Sequence, residues 1–254
     1  MSTAHDMLVD RQFGTQAQAY VASATHATGP DLDHLEAIAQ GLAGAHALDL
    51  GCCGGHVAYR VAPHVADVVA CDLSPAMLAA VEGEARRRGL TNLRTVRARA
   101  ERLPFADGTF DLVITRFSAH HWHGWEAGLR EARRVTRTGG IAVFVDTIAP
   151  ADAAADTYLQ AIELLRDPSH VRNRRADEWV AALERSGFVV TQAGRHALPL
   201  DFATWIARMG TPAASAAAIR ALQTVAPDEV RETLAFAADG SFAIDVGMFE
   251  TRAG

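Results

Sequence analysis

Five short apolar runs alternate with helix-like segments through the middle of the chain, and this alternation limits the possible folds more than any other feature. The runs cover residues 47–50, 68–71, 93–98, 112–115 and 141–145. Continuous apolar strands separated by helices are typical of a parallel sheet that helices cover on both faces. Right-handed crossovers bring the carboxyl ends of such strands to one edge, where ligands bind. We therefore predict an α/β fold with a ligand site at that edge.

Cap and breaker residues predict where the helices lie. Ser74 as N-cap and Pro75 at the first helical position predict a helix over 74–88, and Gly139-Gly140 closes another over 125–137. Amphipathic helices are predicted before the sheet at 13–23 and 31–40. After the sheet we predict helices at 151–166, 177–186, 201–208, 213–224 and 228–235, with strands at 188–192 and 242–249.

The first strand ends in an acid and a glycine-rich turn, Asp49-Leu50-Gly51-Cys52-Cys53-Gly54-Gly55-His56. Small residues at such a turn let the backbone approach a ligand and leave backbone N–H groups free to bind it. A dinucleotide enzyme would carry Gly-x-Gly-x-x-Gly, but counting from Gly51 the next two glycine positions hold Cys53 and His56. A nicotinamide-dependent oxidoreductase is therefore kept only as an alternative.

Further signals stand at the ends of the later strands. Asp72 ends the second strand, where an acid can accept both hydroxyls of a cofactor ribose. Its alternative role is to cap the next helix, which Ser74 already does. Ala100-Glu101 follows the third strand, Phe110-Asp111 opens the fourth, and Gly139-Gly140 precedes the fifth.

This ordered series resembles the class I S-adenosylmethionine-dependent methyltransferases. Phe13-Gly14, Tyr20, Asp146 and the segments 116–122 and 166–172 are similar to the type 11, UbiE-like, branch of that family. The resemblance implies a doubly wound, mostly parallel seven-stranded sheet of order 3-2-1-4-5-7-6, with the last strand antiparallel and with helical lid segments. Cys53 departs from the family's middle glycine, so its β-carbon requires either a negative φ or local strain.

The resemblance also implies one methyltransferase domain over residues 1–254. Within it, 1–43 would form an N-terminal helical lid and 44–150 the cofactor-binding core. Residues 151–254 would form the C-terminal half, with substrate-covering helices and strands 6 and 7. S-adenosylmethionine would be the cofactor and S-adenosylhomocysteine the product. The residues predicted to bind the cofactor are Asp49, Gly51, Cys53, Gly55, Asp72, Leu73, Met77, Ala100, Glu101, Arg116 and Tyr20.

Two histidines beyond the fourth strand are the predicted catalytic residues. Methyl transfer is an in-line displacement that can need a general base, and His121, with His120 beside it, has the side-chain chemistry for that role. Their alternative role is packing against Trp122 or capping the next helix. Together with His123 they could suggest a metal site, but such crowded spacing cannot easily present three nitrogens to one ion. We predict no metal.

The acceptor-binding residues are predicted from a heptad spacing. Asp156, Glu163 and His170 recur every seven residues and would share one face of a continuous helix, although Pro168 ends that helix before His170. Arg172 would receive an anionic group. The alternative for all four is a solvated surface. Phe13, Tyr20 and His26 are predicted to belong to the N-terminal lid.

Charge and hydropathy limit the partners. The net charge of -6, from 30 acidic against 24 basic residues, lacks the basic footprint that nucleic-acid binding usually requires. No apolar run approaches the roughly 20 residues that span a bilayer, and the start of the chain lacks a signal-peptide core. We predict a cytoplasmic enzyme that methylates a small-molecule acceptor and binds neither nucleic acid nor membrane. A non-catalytic or repurposed S-adenosylmethionine-binding protein is the alternative that Cys53 keeps open.

Overall fold

A seven-stranded sheet forms the centre of the computed structural model, which describes residues 3–23 and 27–254. The strands are β1 (His46–Leu50), β2 (Asp67–Asp72), β3 (Leu93–Arg97), β4 (Phe110–Arg116), β5 (Thr136–Ile148), β6 (Phe188–Leu200) and β7 (Phe242–Ala253). Their order is β3-β2-β1-β4-β5-β7-β6; the first five are parallel, and β7 is antiparallel to β5 and β6. The predicted fold class, strand order and antiparallel last strand are confirmed.

Helices flank the sheet and extend beyond it at both ends of the chain. They are α1 (Ala4–Gly14), α2 (Ala17–Val21), α3 (Pro30–Gln40), α4 (His56–Val61), α5 (Pro75–Arg87), α6 (Trp125–Val135), α7 (Ala153–Arg166), α8 (Ala176–Arg185), α9 (Phe202–Met209), α10 (Ala213–Val225) and α11 (Asp228–Thr233). Single 3-10 turns occur at Ala62–His64 and Ala119–His121. Among the described residues, no helix is both long and apolar enough to cross a bilayer.

Alternate residues of the parallel strands build two separate cores. On β1, Ala47 packs into the cluster on the face of α3, α4 and α5, whereas Leu48 packs into the cluster on the face of α6 and α8. Each strand is therefore apolar on both sides, which explains the continuous runs in the sequence. Burying one leucine such as Leu48 stabilises the fold by about 1.5–3 kcal/mol. These cores fix the strand ends that carry the site.

The N-terminal helices differ from the prediction. Instead of one helix over 13–23, α1 begins at Ala4 and ends at Gly14, and a break separates it from α2. Thr3 caps α1 by accepting from the Asp6 N–H, while Asp6 accepts from the Thr3 N–H. At the other end, the Thr15 hydroxyl donates to the carbonyl of Arg11. The capping box moves the helix start nine residues upstream of the predicted one.

The last two strands are longer than predicted. β6 runs to Leu200 and not to Gln192, although most of its residues are exposed. It pairs along its length with β7, with a register shift between Val190 and Gln192. Pairing with a partner from far along the chain thus stabilises a segment that has no strong local strand pattern. The division into lid, core and C-terminal half stays a prediction.

Candidate functional site

A cavity of about 710 Å³, part of it open to solvent, lies at the carboxyl ends of β1 to β4. We call it the first cavity. Its floor is the turn after β1, and its sides come from the ends of β2, β3 and β4. The predicted cofactor residues in its wall are Gly51, Cys53, Asp72, Leu73, Met77, Ala100 and Glu101. The parallel sheet therefore brings seven of the eleven predicted residues to one place.

The turn after β1 tolerates little side-chain volume. Gly51 has a φ of 72°, and a β-carbon there would lie 1.9 Å from the Oγ of Ser118. The amides of Gly51 and Cys52 both donate to the carbonyl of Cys71, at 2.8 and 2.9 Å, which anchors the turn on β2. Only glycine fits position 51 without displacing Ser118, so the backbone is exposed to the first cavity there.

Asp72 stands at the end of β2 and faces the first cavity. One carboxylate oxygen accepts from the Cys53 N–H at 3.0 Å, and the other accepts from the Ser74 N–H at 2.9 Å. Burial raises the pKa of Asp72, and these two amides act in the opposite direction. The Ser74 hydroxyl caps α5 by accepting from Met77. Asp72 therefore tethers the glycine-rich turn while its remaining lone pairs are available to a ligand.

Residues 98–101, which follow β3, form the wall of the first cavity opposite Asp72. Glu101 accepts from the Gly124 N–H at 2.9 Å, and its second oxygen lies 3.5 Å from the guanidinium of Arg99. Arg99 also reaches Asp6 of α1 at 3.3 Å. The loop at 98–101 is thus tied to helix α1.

Helix α1 closes the first cavity from above. His5, Asp6, Val9 and Phe13 line it, and the His5 Nε2 lies 2.9 Å from the backbone oxygen of His121. Sequence reasoning missed His5, Asp6 and Val9, although the Thr3-x-x-Asp6 capping pattern would have indicated a helix in this segment. His26, also assigned to the lid, lies outside the described residues.

A second cavity of about 700 Å³ adjoins the first. It lies under the C-terminal end of α7 and is bounded by β6, β7 and α9. The two cavities share four lining residues, Phe13, Cys53, Phe117 and His121, which we call the collar. A group bound in one cavity can therefore face a group bound in the other only across the collar.

Two members of the collar have a strained backbone. Among the described residues, the non-glycine residues with positive φ are Cys53 at 46°, Phe117 at 52° and Ala235 at 48°. Such backbone conformations cost about 1–3 kcal/mol and cluster at functional sites. Cys53 therefore does not keep a negative φ, and its backbone is locally strained.

His121 is the collar residue with proton chemistry. Its Nδ1 lies 3.1 Å from the carbonyl oxygen of Ser169, so this nitrogen must carry the proton and donate it. Its Nε2 lies 3.8 Å from the Oδ2 of Asp167. Burial, and the neighbouring His120 ring 4.2 Å away, lower the pKa of His121 to about 4. At neutral pH His121 is therefore uncharged and able to accept a proton.

His120 has the opposite environment. Its Nδ1 contacts the Asp146 carboxylate, which also accepts from the amides of His120 at 3.1 Å and Thr147 at 2.8 Å. Burial lowers the pKa of His120, but the charge and hydrogen bond of Asp146 outweigh it, so the pKa lies above its ordinary value. Two adjacent histidines with pKa values shifted in opposite directions mark a candidate acid–base site.

Two predicted cofactor residues lie at the second cavity. Arg116 pairs with Asp31 and lines the second cavity but not the first. Tyr20 also lines the second cavity, and its hydroxyl contacts the Met209 sulfur at 2.8 Å. Arg116 is held at this side by Asp31 of α3, and Tyr20, which lies on α2, is held by Met209 of α9.

Asp49 and Gly55 lie beneath the turn and not in the wall of the first cavity. Asp49 accepts from the Ala58 N–H at 3.0 Å inside α4, and burial raises its pKa to about 7. A β-carbon on Gly55 would lie 2.7 Å from the ring of Tyr59. The geometry favours a role for both in holding the turn, and their contact with a cofactor stays a prediction.

Of the four predicted acceptor residues, only Glu163 lines the second cavity. Asp156 and Arg172 pair with each other at 2.7 Å outside the cavity wall. His170 lies beyond the end of α7, with its Nε2 2.9 Å from the Oε1 of Gln160. As Pro168 predicts, the helix ends at Arg166, so His170 does not share its face with Asp156 and Glu163. Within residues 3–23 and 27–254, no cluster of three metal-ligating side chains occurs.

Comparisons with known proteins agree with this geometry. The model of the type 11 methyltransferase domain matches residues 48–144. YafE of Escherichia coli K12 is 43% identical over 198 residues, which cover 78% of this chain and 96% of YafE. A demethylmenaquinone methyltransferase of Beutenbergia cavernae is 40% identical over 121 residues, 46% of this chain and 48% of that protein.

The methyltransferase YcgJ of Bacillus subtilis matches nearly the whole chain. It is 32% identical over 227 residues, covering 89% of this chain and 90% of YcgJ. Its crystal structure superposes with a TM-score of 0.83 over 88% of this chain and 97% of that chain. Sequence and fold thus agree over most of the chain and not only over residues 48–144. The chain belongs to the type 11 family of S-adenosylmethionine-dependent methyltransferases.

Proposed function

We propose that this protein transfers a methyl group from S-adenosylmethionine in the first cavity to a small-molecule acceptor in the second. The observation that carries the proposal is the collar, because four residues belong to both cavities and bring their contents face to face. In-line displacement needs donor and acceptor on opposite sides of one carbon. Two cavities that meet at one narrow boundary supply that arrangement.

The first cavity suits the cofactor. Position 51 has no room for a β-carbon beside Ser118, so bare backbone borders the cavity there, and Asp72 offers carboxylate oxygens at the end of β2. Gly51, Cys53, Asp72, Leu73, Met77, Ala100 and Glu101 would hold the cofactor. S-adenosylmethionine supplies an electrophilic methyl group on a sulfonium and leaves as S-adenosylhomocysteine.

The second cavity suits a small acceptor. It is a concave site lined by α7, β6, α9 and β7, the kind of place where small ligands bind. Apolar side chains such as Leu198, Leu200 and Trp205 alternate there with charged ones. The net charge of -6 supports a small molecule over a nucleic acid.

His121 is the proposed general base. It lies on the collar, next to the reacting atoms, and its Nε2 carries the lone pair when Nδ1 donates to Ser169. Burial and the neighbouring His120 lower the pKa of His121, which leaves its ring neutral and able to accept a proton. The Asp167 carboxylate, 3.8 Å from Nε2, would then stabilise the imidazolium.

Two measurements test this function. Calorimetry with S-adenosylhomocysteine and with NADH should show binding of the first and none of the second. A screen with methyl-labelled S-adenosylmethionine and a panel of small hydroxyl, amine and carbon acceptors should then yield a labelled product. Binding of NADH without S-adenosylhomocysteine would exclude the proposed function. Cofactor binding with no transfer to any acceptor would favour the repurposed binding protein.

A further inference from the structure

Asp167 carries a buried carboxylate oxygen that the described residues leave without a hydrogen-bond donor. Asp167 directly follows α7 and lines the second cavity, and its side chain is 2% exposed. Its Oδ1 accepts from the amide and hydroxyl of Ser169, at 2.8 and 2.6 Å. Its Oδ2 has no such partner. A buried oxygen of this kind costs free energy unless a donor reaches it.

The cation beside Asp167 in the chain does not supply that donor. Arg166 lies next to Asp167 in the chain and lines the same cavity. Its Nε donates to the carbonyl of Trp205 at 3.0 Å, and its guanidinium stacks over the Trp205 ring at 4.7 Å. Its Nη1 lies 3.8 Å from Glu163. The Arg166 side chain is thus directed at Trp205 and Glu163.

A second acceptor atom lies beside the first. The Nε2 of His121 is 3.8 Å from the Asp167 Oδ2 and makes no hydrogen bond within the described part of the chain. Because Nδ1 holds the ring proton, Nε2 is an acceptor as well. A donor heavy atom about 2.8 Å from each would fit over this gap. The two atoms therefore form a receptor for one group that bears hydrogen: an amine can donate one hydrogen to each atom, and a hydroxyl would share its single hydrogen between them.

We propose that the methyl acceptor presents an O–H or N–H group to this pair, and that Asp167 selects for it. The inference rests on the proposed function and names its substrate class: a molecule methylated on oxygen or nitrogen. His121 belongs to the collar, so the group held against its Nε2 is the one next to the methyl donor. Asp167 orients that group, and His121 receives its proton.

The step is balanced by the groups named. The oxygen or nitrogen lone pair of the acceptor forms the new bond to the methyl carbon. The carbon–sulfur bond of the sulfonium breaks, and its electron pair stays on sulfur as the thioether of S-adenosylhomocysteine. The proton of the acceptor passes to the Nε2 of His121, where the Asp167 carboxylate faces the resulting positive charge.

Probe binding tests the inference without turnover. Phenol, benzylamine and toluene have similar size, but only the first two carry a donor. Their affinities would be measured by NMR titration of the full chain saturated with S-adenosylhomocysteine. We call the affinity of phenol or benzylamine divided by that of toluene the donor preference. We expect Asp167→Asn to lower the donor preference about tenfold or more, because its amide turns a donor toward the cavity. Loss for phenol indicates a hydroxyl acceptor, and loss for benzylamine indicates an amine.

A matched variant separates Asp167 from the general charge of the cavity. Glu163→Gln removes another buried carboxylate from the same wall and should keep the donor preference. Ser169→Ala removes the hydroxyl that holds the Asp167 Oδ1, so the carboxylate loses part of its fixed orientation and the preference should fall about threefold. This second variant keeps the test decisive if Asp167→Asn does not fold, as checked by thermal melting.

The outcomes separate this inference from the proposed function. A donor preference unchanged in both Asp167→Asn and Ser169→Ala, or a labelled product methylated only on carbon, would overturn the inference and leave the methyltransferase reaction intact. Absence of S-adenosylhomocysteine binding would instead contradict the proposed function. Loss of the donor preference in Glu163→Gln as well would assign it to cavity charge and also overturn the inference.

Discussion

The two cavities are built in different ways. The first takes most of its wall from residues directly after β1, β2 and β3, together with the lid helix α1. The second collects residues from α2, α7, β6, α9 and β7, which lie far apart in the chain. The first cavity follows from the parallel sheet itself, whereas the second exists only once the C-terminal half packs against it. Variants of the two cavities should therefore affect different steps.

The collar histidine should give the largest effect because it serves both cavities. We expect His121→Ala to lower turnover by about 10²–10⁴-fold, the usual contribution of general-base catalysis. The affinity for S-adenosylhomocysteine, measured by calorimetry, should change little. His123→Ala is the matched control, since its ring lies on the far side of the first cavity, against His5. A large loss of cofactor affinity in His121→Ala would assign the histidine a structural role.

The pH profile distinguishes His121 from His120 as the base. With its pKa lowered to about 4 by burial and by His120, His121 stays neutral as the pH falls from 7 to about 5. Turnover should fall only near pH 4. A base at His120, whose pKa is raised, would lose activity already below neutral pH. The unfolded state binds the His121 proton more tightly than the folded state does. The free energy of unfolding therefore decreases as the pH falls from 6.5 to about 4, and circular dichroism must show that the protein stays folded during the assay.

Gly51→Ala should act on the first cavity alone. Its β-carbon would displace Ser118 and force an alanine to a φ of 72°, which together should cost about 2–4 kcal/mol. We expect weaker binding of S-adenosylhomocysteine and a lower free energy of unfolding. Gly83→Ala, on the exposed face of α5 with open space around it, should stabilise the protein by about 0.5–1 kcal/mol. Equal effects of the two variants would show that position 51 has room for a β-carbon.

Asp72→Ala should weaken S-adenosylhomocysteine binding by about 1–3 kcal/mol, because a charged hydrogen-bond acceptor is lost. Probe binding in the second cavity should be nearly unchanged, which sharpens the separation of the two cavities. Asp67→Ala removes an acid from the other end of the same strand, where it contacts His46, and serves as the control. Unchanged cofactor affinity in Asp72→Ala would remove this residue from the site.

Cys53→Gly should give the smallest change. Replacing the side chain at a φ of 46° relieves about 1 kcal/mol of strain and restores the glycine usual in the family. We expect a slightly higher melting temperature and cofactor affinity equal to or better than that of the wild type. A clear loss of turnover with intact cofactor binding would show that the thiol is needed at the collar.

Local sequence features could predict much of the wall of the first cavity because each is a short-range effect. The capped helix at Ser74-Pro75, the acid at Asp72 and the turn at Gly51 depend on neighbours within a few residues. Parallel strands then bring them together at one edge. The placement of Arg116 and Tyr20 could not be predicted in the same way, because it depends on contacts with Asp31 and Met209.

The sequence by itself determined the fold class, the strand order through its resemblance, and the family reaction. Tertiary structure alone decided that the chain has a second cavity, that Phe13, Cys53, Phe117 and His121 join the two cavities, and that Asp167 faces His121. The physical reason is the distance along the chain over which each kind of interaction acts. Strand ends and turns are set by local hydrogen bonds and apolar periodicity, whereas the second cavity arises from packing between segments such as those of Tyr20 and Met209, which are 189 residues apart.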